Sequence, residues 1–358
     1  MSLQPPLPVR PAVPPPSAAE AAVPVRAAWP VPRIVAIGGG TGLPLLLRGL
    51  RDALFTPASR PLLGVEREAL TALVTVADDG GSSGRLRSDY GVLPPGDIRN
   101  CLVALADDRR MATMFDYRFD GGGLAGHSLG NLILAALSRL EERFPAAVER
   151  AGEILGIQGR VLPATATDVR LVAELANGVH VEGESRIAAV GGEIRRVRLV
   201  PHDAPALPEA RAAIAGADLV VIGPGSLYTS IIPVLLVRGI AEAIARSGAR
   251  VVLVMNLMTE PGETDGMSAA DHVRALLRHA PGLPVHDVVV AATTMPASRL
   301  DAYAAAGAQP VLADLDALRG LGCRPVRRRV LAKGEKLRHD ARRLAAAVLA
   351  RRPRSARA

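Results

Sequence analysis

Two carboxylates, two hydroxyls and a guanidinium stand together in Asp78-Asp79-Gly80-Gly81-Ser82-Ser83-Gly84-Arg85, directly after the apolar run Val74-Thr75-Val76-Ala77. Carboxylates in such a run bind a divalent cation, accept from a ribose hydroxyl or carry a proton, and residue types alone leave these roles open. If any residue here is catalytic, it is Asp78 or Asp79, and Asp78 is the candidate Mg²⁺ ligand. Arg85 and Arg87 suit a phosphate, whose oxygens match the planar guanidinium fork; solvated charges are the plainer reading. Glycine, Asp and Ser favour turns, so 78–84 reads as a loop at the carboxyl end of a strand. Open α/β sheets bind ligands at such loops.

Similar clusters recur along the chain. Gly38-Gly39-Gly40-Thr41-Gly42 follows the apolar Ile34–Ile37 and precedes Leu43, Leu46, Leu47 and Leu50 at helical spacing. Strand, glycine loop and helix form a phosphate cradle, because backbone N–H groups and the helix N-terminus face the anion. Gly39, Gly40, Thr41 and Gly42 are its candidate contacts, although a tight turn would use the same residues. Leu43 takes the third glycine position of G-x-G-x-x-G, and no Gly-Lys-Ser/Thr follows, so neither common nucleotide fingerprint is met. In Pro95-Gly96-Asp97-Ile98-Arg99-Asn100, Asp97 stands where a helix N-cap belongs. Arg99 and Asn100 would face a pocket, and Cys101 belongs to the core. Gly126-His127-Ser128-Leu129-Gly130-Asn131 opens another apolar helix. Adjacent His and Ser side chains rarely point at each other, so His127, Ser128 and Asn131 are read as ligand contacts rather than a hydrolytic dyad. Gly225, Ser226, Thr229 and Ser230 suit a second anion or sugar cradle, or a helix-capping turn. Asn256 and Thr259 are further candidate contacts. Glu263 and Asp265 stand where they would contact a ligand or cap the next helix, in which His272 is structural. Tyr303 would stack on a nucleobase or fill the core.

The elements that position these residues read as an α/β body. Apolar strand patterns near 34–37, 70–76, 217–222, 251–255 and 287–292 alternate with helical ones, which predicts a Rossmann-like, mostly parallel sheet with helices on both faces. Residues 160–200 break this rhythm. Asn177-Gly178 is a hairpin signal, and an antiparallel insertion is expected there. Residues 1–32 are proline-rich and read as a disordered extension; 33–350 form the body, and 351–358 a basic tail. The formal net charge of +8 is local in origin: residues 319–358 hold 14 Lys/Arg against 2 Asp/Glu. The body before them is mildly acidic, which argues against a broad nucleic-acid-binding face. Two cysteines are too few for a disulfide framework. No apolar run reaches the roughly 18 residues of a membrane span, and prolines with Arg10 interrupt any signal-peptide core. A cytoplasmic protein is expected.

Together these motifs resemble the gluconeogenesis-factor family (YvcK-like) of the YvcK/CofD superfamily, which also holds 2-phospho-L-lactate transferase. The likeness rests on GGGTG at 38–42, VADDGGSSGRLR at 76–87, PGDIRN at 95–100, GHSLGN at 126–131, IGPGSLYTSI at 222–231, PGET at 261–264 and LRHD at 337–340. It covers about residues 33 to 350, and the joint SLYTSI and GHSLGN match points to the gluconeogenesis-factor branch. That branch implies a nucleotide-sugar binder of UDP-N-acetylglucosamine type, linked to cell shape and peptidoglycan synthesis during gluconeogenic growth, without an established reaction. The other branch implies a Mg²⁺-assisted transfer of a phospholactyl group to a deazaflavin alcohol. Carried over residue by residue, the resemblance implies that Gly39 to Gly42 hold phosphates, with Asp78, Asp79 and Arg85 at the centre. Asn100, His127, Ser128 and Asn131 would flank it. Gly225, Ser226 and Asn256 would close the far wall, with Tyr303 and Arg338 as further contacts. The expected partners are the nucleotide sugar, cell-envelope regulatory proteins and a second copy of the chain in a homo-oligomer. Glu260 stands where many relatives have Gln, and Met267 where many have an aromatic residue, which leaves the sugar and base open.

Overall fold

The computed structural model describes residues 32–55, 65–293 and 295–352. The extension at 1–32 lies outside them except for its last residue, as does the basic tail beyond 352. Among the described residues ten strands fall in two sheets. β1 (Ile34–Gly38), β2 (Leu70–Val74), β3 (Arg160–Pro163), β7 (Leu219–Ile222), β8 (Arg250–Val254), β9 (Asp287–Ala291) and β10 (Arg324–Arg328) form a seven-stranded sheet in the order β10-β9-β8-β7-β1-β2-β3. Every pairing in it is parallel. β4 (Arg170–Leu175), β5 (His180–Glu182) and β6 (Ile194–Val200) form a separate antiparallel sheet in the order β5-β4-β6. The expected α/β class with a small antiparallel part is therefore observed.

Helices follow the strands in chain order: α1 (Gly42–Leu54), α2 (Gly81–Tyr90), α3 (Gly96–Leu105), α4 (Arg109–Asp116), α5 (Leu129–Leu140) and α6 (Phe144–Leu155). Then come α7 (Glu184–Val190), α8 (Pro208–Ala215), α9 (Ile232–Leu236), α10 (Ile240–Arg246), α11 (Ala269–His279), α12 (Ala297–Ala305), α13 (Leu315–Gly320) and α14 (Ala341–Leu349). β1 shows why both sheet faces are covered. Side chains alternate across a strand, and Ile34 and Ala36 enter one core with α1, α3 and α14 while Val35 and Ile37 enter the other with α8 to α11. On the first face α14 seats tightly on α1: a Cβ on Gly49 would collide with the Ala341 carbonyl and lie 3.1 Å from Ala345 Cβ.

Three local expectations are corrected. The stretch from Gly81 is helical, not loop, because its backbone turns at Gly80 and Gly81 and then closes the first turn of α2 with the Gly84 N–H donating to the Gly80 carbonyl at 3.2 Å. Residues 160–163 pair parallel with β2, so the antiparallel segment begins at Arg170 rather than 160. The insertion also holds a helix, α7, where the sequence reading sees only strands; Gly183 and Gly191 bracket it. Gly178, with φ of 84°, makes the predicted hairpin turn between β4 and β5.

In the order just given, the chain runs outward from β1 through β2 and β3, then returns to β1 with β7 on its other side. Beside β1 the strand order reverses. Between the carboxyl ends of β1 and β7 lies the crevice where doubly wound sheets bind their ligands.

Candidate functional site

Two glycine loops meet at this crevice. The loop after β1 packs against the loop after β7 so closely that a Cβ on Gly42 would lie 2.5 Å from the Pro224 carbonyl oxygen. On the other side a Cβ on Gly39 would strike Asp97 and lie 2.7 Å from Thr75 Cγ2. Gly40 adopts φ of 61°, which a side chain resists. Backbone therefore lines this part of the site.

α1, α2 and α3 all begin here, at Thr41, Gly80 and Pro95, and none has a side-chain cap. Four other helices do carry a side-chain cap, with Asp108 accepting from Arg110 N–H, Ser128 from Asn131 N–H, Ser268 from Asp271 N–H and Asp340 from Arg343 N–H, while α6 to α10, α12 and α13 start without one. Helix starts without a cap from the N-cap side chain leave first-turn N–H groups and the positive end of the helix dipole facing the crevice, although in α3 the Gly96 N–H is taken by Ser83. The three starts are mutually close, since Gly96 N–H donates to Ser83 Oγ at 3.1 Å and Asp97 takes a hydrogen bond from the Gly40 backbone.

The sequence-predicted residues divide by what they touch. Asp78 is half-buried, and its Oδ1 accepts from Gly80 N–H at 2.8 Å. Burial raises its pKa, opposed by the hydrogen bonds from Ser83 and Gly80. Asp79 anchors the insertion: Ser185 N–H donates to its Oδ1 at 2.9 Å, and a Cβ on Gly183 would strike its carboxyl group. Asp97 is not the expected cap. It lies inside the first turn of α3, only 7% exposed, and burial followed by the charge of Asp78 pushes its pKa up to about 7.

His127 does find a hydroxyl, but not that of its neighbour. Its Nδ1 lies 2.9 Å from Ser82 Oγ, and Asn131 Nδ2 donates to the same Oγ at 3.0 Å. Burial first, then Arg85, lowers the His127 pKa and keeps the imidazole neutral. Ser128, fully buried, is the cap of α5 and not a free contact. Arg85 donates to the Ala125 carbonyl at 2.5 Å and ties α2 to the loop before His127. Asn100 accepts from Arg99 at 2.6 Å, while Arg99 pairs with Asp116.

On the far wall Asn256 grips the Gly225 peptide from both sides. Its Oδ1 accepts from Gly225 N–H at 3.1 Å and its Nδ2 donates to Gly225 O at 2.9 Å. These two residues hold each other, which fixes the loop that also carries Ser226. Tyr303 packs on the α1–α14 side and its hydroxyl accepts from Leu337 N–H at 2.9 Å. That is the core-and-anchor role, and it orders the segment leading to exposed Arg338. His339 in turn is hydrogen-bonded to the backbone of Met255, which places 338–340 beside the end of β8. The structure thus gathers 39–42, 78–79, 97, 127, 131 and 225–226 around the crevice, and hangs Arg338 at the β8 side.

Several site residues escape sequence reasoning. Ser82 and Ser83 are visible only as turn formers, yet they link α2 to His127 and to α3. Glu184 belongs to the insertion, and no local pattern ties it to the crevice. Glu263, which the sequence leaves open between a ligand contact and a cap, is not the cap: Thr229 Oγ1 donates to its Oε1 at 2.9 Å, while Ser268 with Asp271 forms the capping box of α11. Burial, with the charge of Glu260, pushes Glu263 up to about 7.

A polar crevice at the topological switch of a parallel sheet, where three helices start, places the chain among the doubly wound α/β proteins. The chain belongs to the CofD family, whose sequence profile, described as 2-phospho-L-lactate transferase CofD, matches residues 34–331. Within it the chain is similar to gluconeogenesis factors. The gluconeogenesis factor of Bacillus subtilis is 43% identical over 321 residues, covering 89% of this chain and 97% of the relative. That of Halalkalibacterium halodurans is 43% identical over 325 residues, 90% of this chain and 97% of the relative. A solved structure of a UPF0052-family protein from Bacillus halodurans superposes with a TM-score of 0.82 at 42% identity, over 89% of this chain and 99% of that one. Among the described residues no helix is long and apolar enough to cross a membrane.

Proposed function

We propose that the chain binds a nucleotide sugar of UDP-N-acetylglucosamine type in this crevice and acts as a cytoplasmic regulator of cell-envelope metabolism during gluconeogenic growth rather than as an enzyme. The observation that carries the reading is the convergence of three uncapped helix N-termini on two abutting glycine loops. Their N–H groups and dipoles favour a diphosphate. Chemistry is less well provided for: the hydroxyl–imidazole pair of Ser82 and His127 is completed by the amide of Asn131, not by a carboxylate that would orient a base. Calorimetric titration with UDP-N-acetylglucosamine should give saturable binding, weakened by Arg338→Ala. Absence of binding by every UDP-sugar at millimolar concentration overturns the proposal.

The family's other branch supplies a second reading, a Mg²⁺-dependent phospholactyl transfer, favoured by the half-buried Asp78 beside the glycine loop. The residues present do not fit a protein-built metal site. Among the described residues no three His, Cys, Asp or Glu groups converge on one point, and Asp78 spends its oxygens on Gly80 and Ser83. No step through the metal follows from this donor set. Incubation with Mg²⁺, a deazaflavin alcohol and the activated phospholactate, followed by mass spectrometry, tests this reading; product formation would replace the first proposal.

A further inference from the structure

Two carboxyl groups at the insertion side of the crevice, one on a half-buried residue and one on a buried residue, each hold a buried oxygen whose hydrogen-bonding capacity is unused. Glu184 opens α7, and its Oε2 is buried with no hydrogen-bond partner. Glu263, in the loop after β8, is 8% exposed; Thr229 satisfies its Oε1, and its Oε2 is likewise buried without a partner. Native proteins pair nearly all such atoms, so each exception calls for a cause.

The two groups are brought together by packing on both sides. Asp79 holds the start of α7 through Ser185 N–H at 2.9 Å. Across from it, a Cβ on Gly262 would lie 2.7 Å from the Ala188 carbonyl oxygen and 3.4 Å from Gly191 Cα, so the loop carrying Glu263 abuts the same helix. Glu184 feels the charges of Asp78, Asp97, Glu263 and Asp79, in that order. It therefore faces the crevice from the insertion, opposite the β2 and β8 loops.

The protonation of these groups narrows what they receive. Burial first, then the neighbouring carboxylates, pushes Glu184 up to about 9, so it carries a proton at neutral pH. Glu263 is pushed up to about 7. A protonated carboxyl both donates and accepts, which suits hydroxyl and amide groups better than a cation. The surrounding negative charge repels another carboxylate.

Building on the nucleotide-sugar reading, we infer that Glu184 and Glu263 form the glycosyl-reading end of the crevice: they hydrogen-bond an uncharged, hydroxyl-bearing sugar and discriminate against a sugar that carries a carboxylate. The helix starts hold the diphosphate and the insertion reads what is attached to it. Three probes separate these parts in calorimetric titrations of the full chain: UDP, UDP-N-acetylglucosamine and UDP-glucuronate. The wild type is expected to bind the uncharged sugar nucleotide at least about tenfold more tightly than the glucuronate. Glu184→Ala should weaken UDP-N-acetylglucosamine by about five- to tenfold, the worth of one or two hydrogen bonds, and leave UDP unchanged. Glu184→Gln, which keeps the volume and, like the protonated carboxyl, both donates and accepts, should restore the affinities of both sugar nucleotides to near the wild-type values. The inference is overturned if UDP-glucuronate binds as tightly as UDP-N-acetylglucosamine, or if Glu184→Ala weakens UDP by the same factor as the sugar nucleotide. Failure of all three probes to bind the wild type is a different result, which overturns the nucleotide-sugar reading itself and the inference with it. The comparison of probes on the wild type needs no variant to fold.

Discussion

Replacing Glu184 by Gln should stabilise the ligand-free protein, and by an amount that grows with pH. In the folded chain Glu184 keeps its proton up to about pH 9, because burial and then the carboxylates of Asp78, Asp97 and Glu263 disfavour its charge; its ordinary value is 4.5. Below pH 4.5 both folded and unfolded chains carry the proton, and the residue adds no pH dependence. Between 4.5 and 9 the unfolded chain has released it and the folded chain has not, so stability is progressively lost as pH rises. Each pH unit in that window is worth at most about 1.4 kcal/mol. From pH 5 to pH 7 the loss is thus on the order of 2–3 kcal/mol, a large share of a typical domain's stability of about 5–15 kcal/mol. Gln fills the same space and has no proton to release, so the variant escapes the penalty. Urea unfolding at pH 5, 6, 7 and 8 and constant ionic strength measures it: the midpoint difference between Glu184→Gln and wild type should widen steadily. Parallel pH curves would show that Glu184 ionises normally in the folded state, and with that the argument for its burial among like charges falls.

Other contacts make equally direct predictions. Gly49→Ala drives a methyl into the Ala341 carbonyl and should lower stability by about 1–3 kcal/mol through displacement of α14 from α1, read as a fall in the thermal midpoint. An unchanged midpoint would mean that the two helices part freely. Asn256→Ala releases the Gly225 peptide and should cost about 1–3 kcal/mol, with faster amide exchange in the 223–226 loop; unaltered exchange there refutes the clamp. Asp79→Ala removes the anchor of α7, so amide protection should drop across 184–190 while the parallel sheet keeps its own. Loss of protection across both sheets alike would instead make Asp79 a determinant of the whole fold.

Much of the parallel body was legible because β1, β2, β7, β8 and β9 are largely apolar runs buried on both faces, and β1, β2 and β7 lead into loops rich in Gly, Asp or Ser. Ile34–Gly38 with its glycine loop is the clearest case. The loops could be named as one site because open sheets gather strand ends on one side. What the sequence hid is pairing at a distance. Asp79 and Ser185 are 106 residues apart, and Ser82 and His127 are 45 apart. Neither contact has a local pattern, so Asp79 and His127 both looked like ligand groups. Asp97 misled for another reason. An Asp at the start of a helix suits a cap, and only burial against Gly39 and Gly40 shows it turned into the crevice instead. Edge strand β10 was missed because Arg324, Arg327 and Arg328 dilute the apolar signal that betrays a strand.

The reversal of strand order beside β1 also governs when the site comes into being. β1 pairs on one side with β2, and on the other with β7, whose first residue is 185 positions further along. During synthesis the first of these edges closes early. The second stays open, with its backbone groups unpaired, until residues 219–222 have been made. The apolar side of α1 waits longer still, for α14 at the end of the described chain. The glycine turn at 38–42 is therefore among the first parts of the body to be translated and among the last to be enclosed. Long-range closure of this kind slows folding and leaves an exposed edge on the nascent chain.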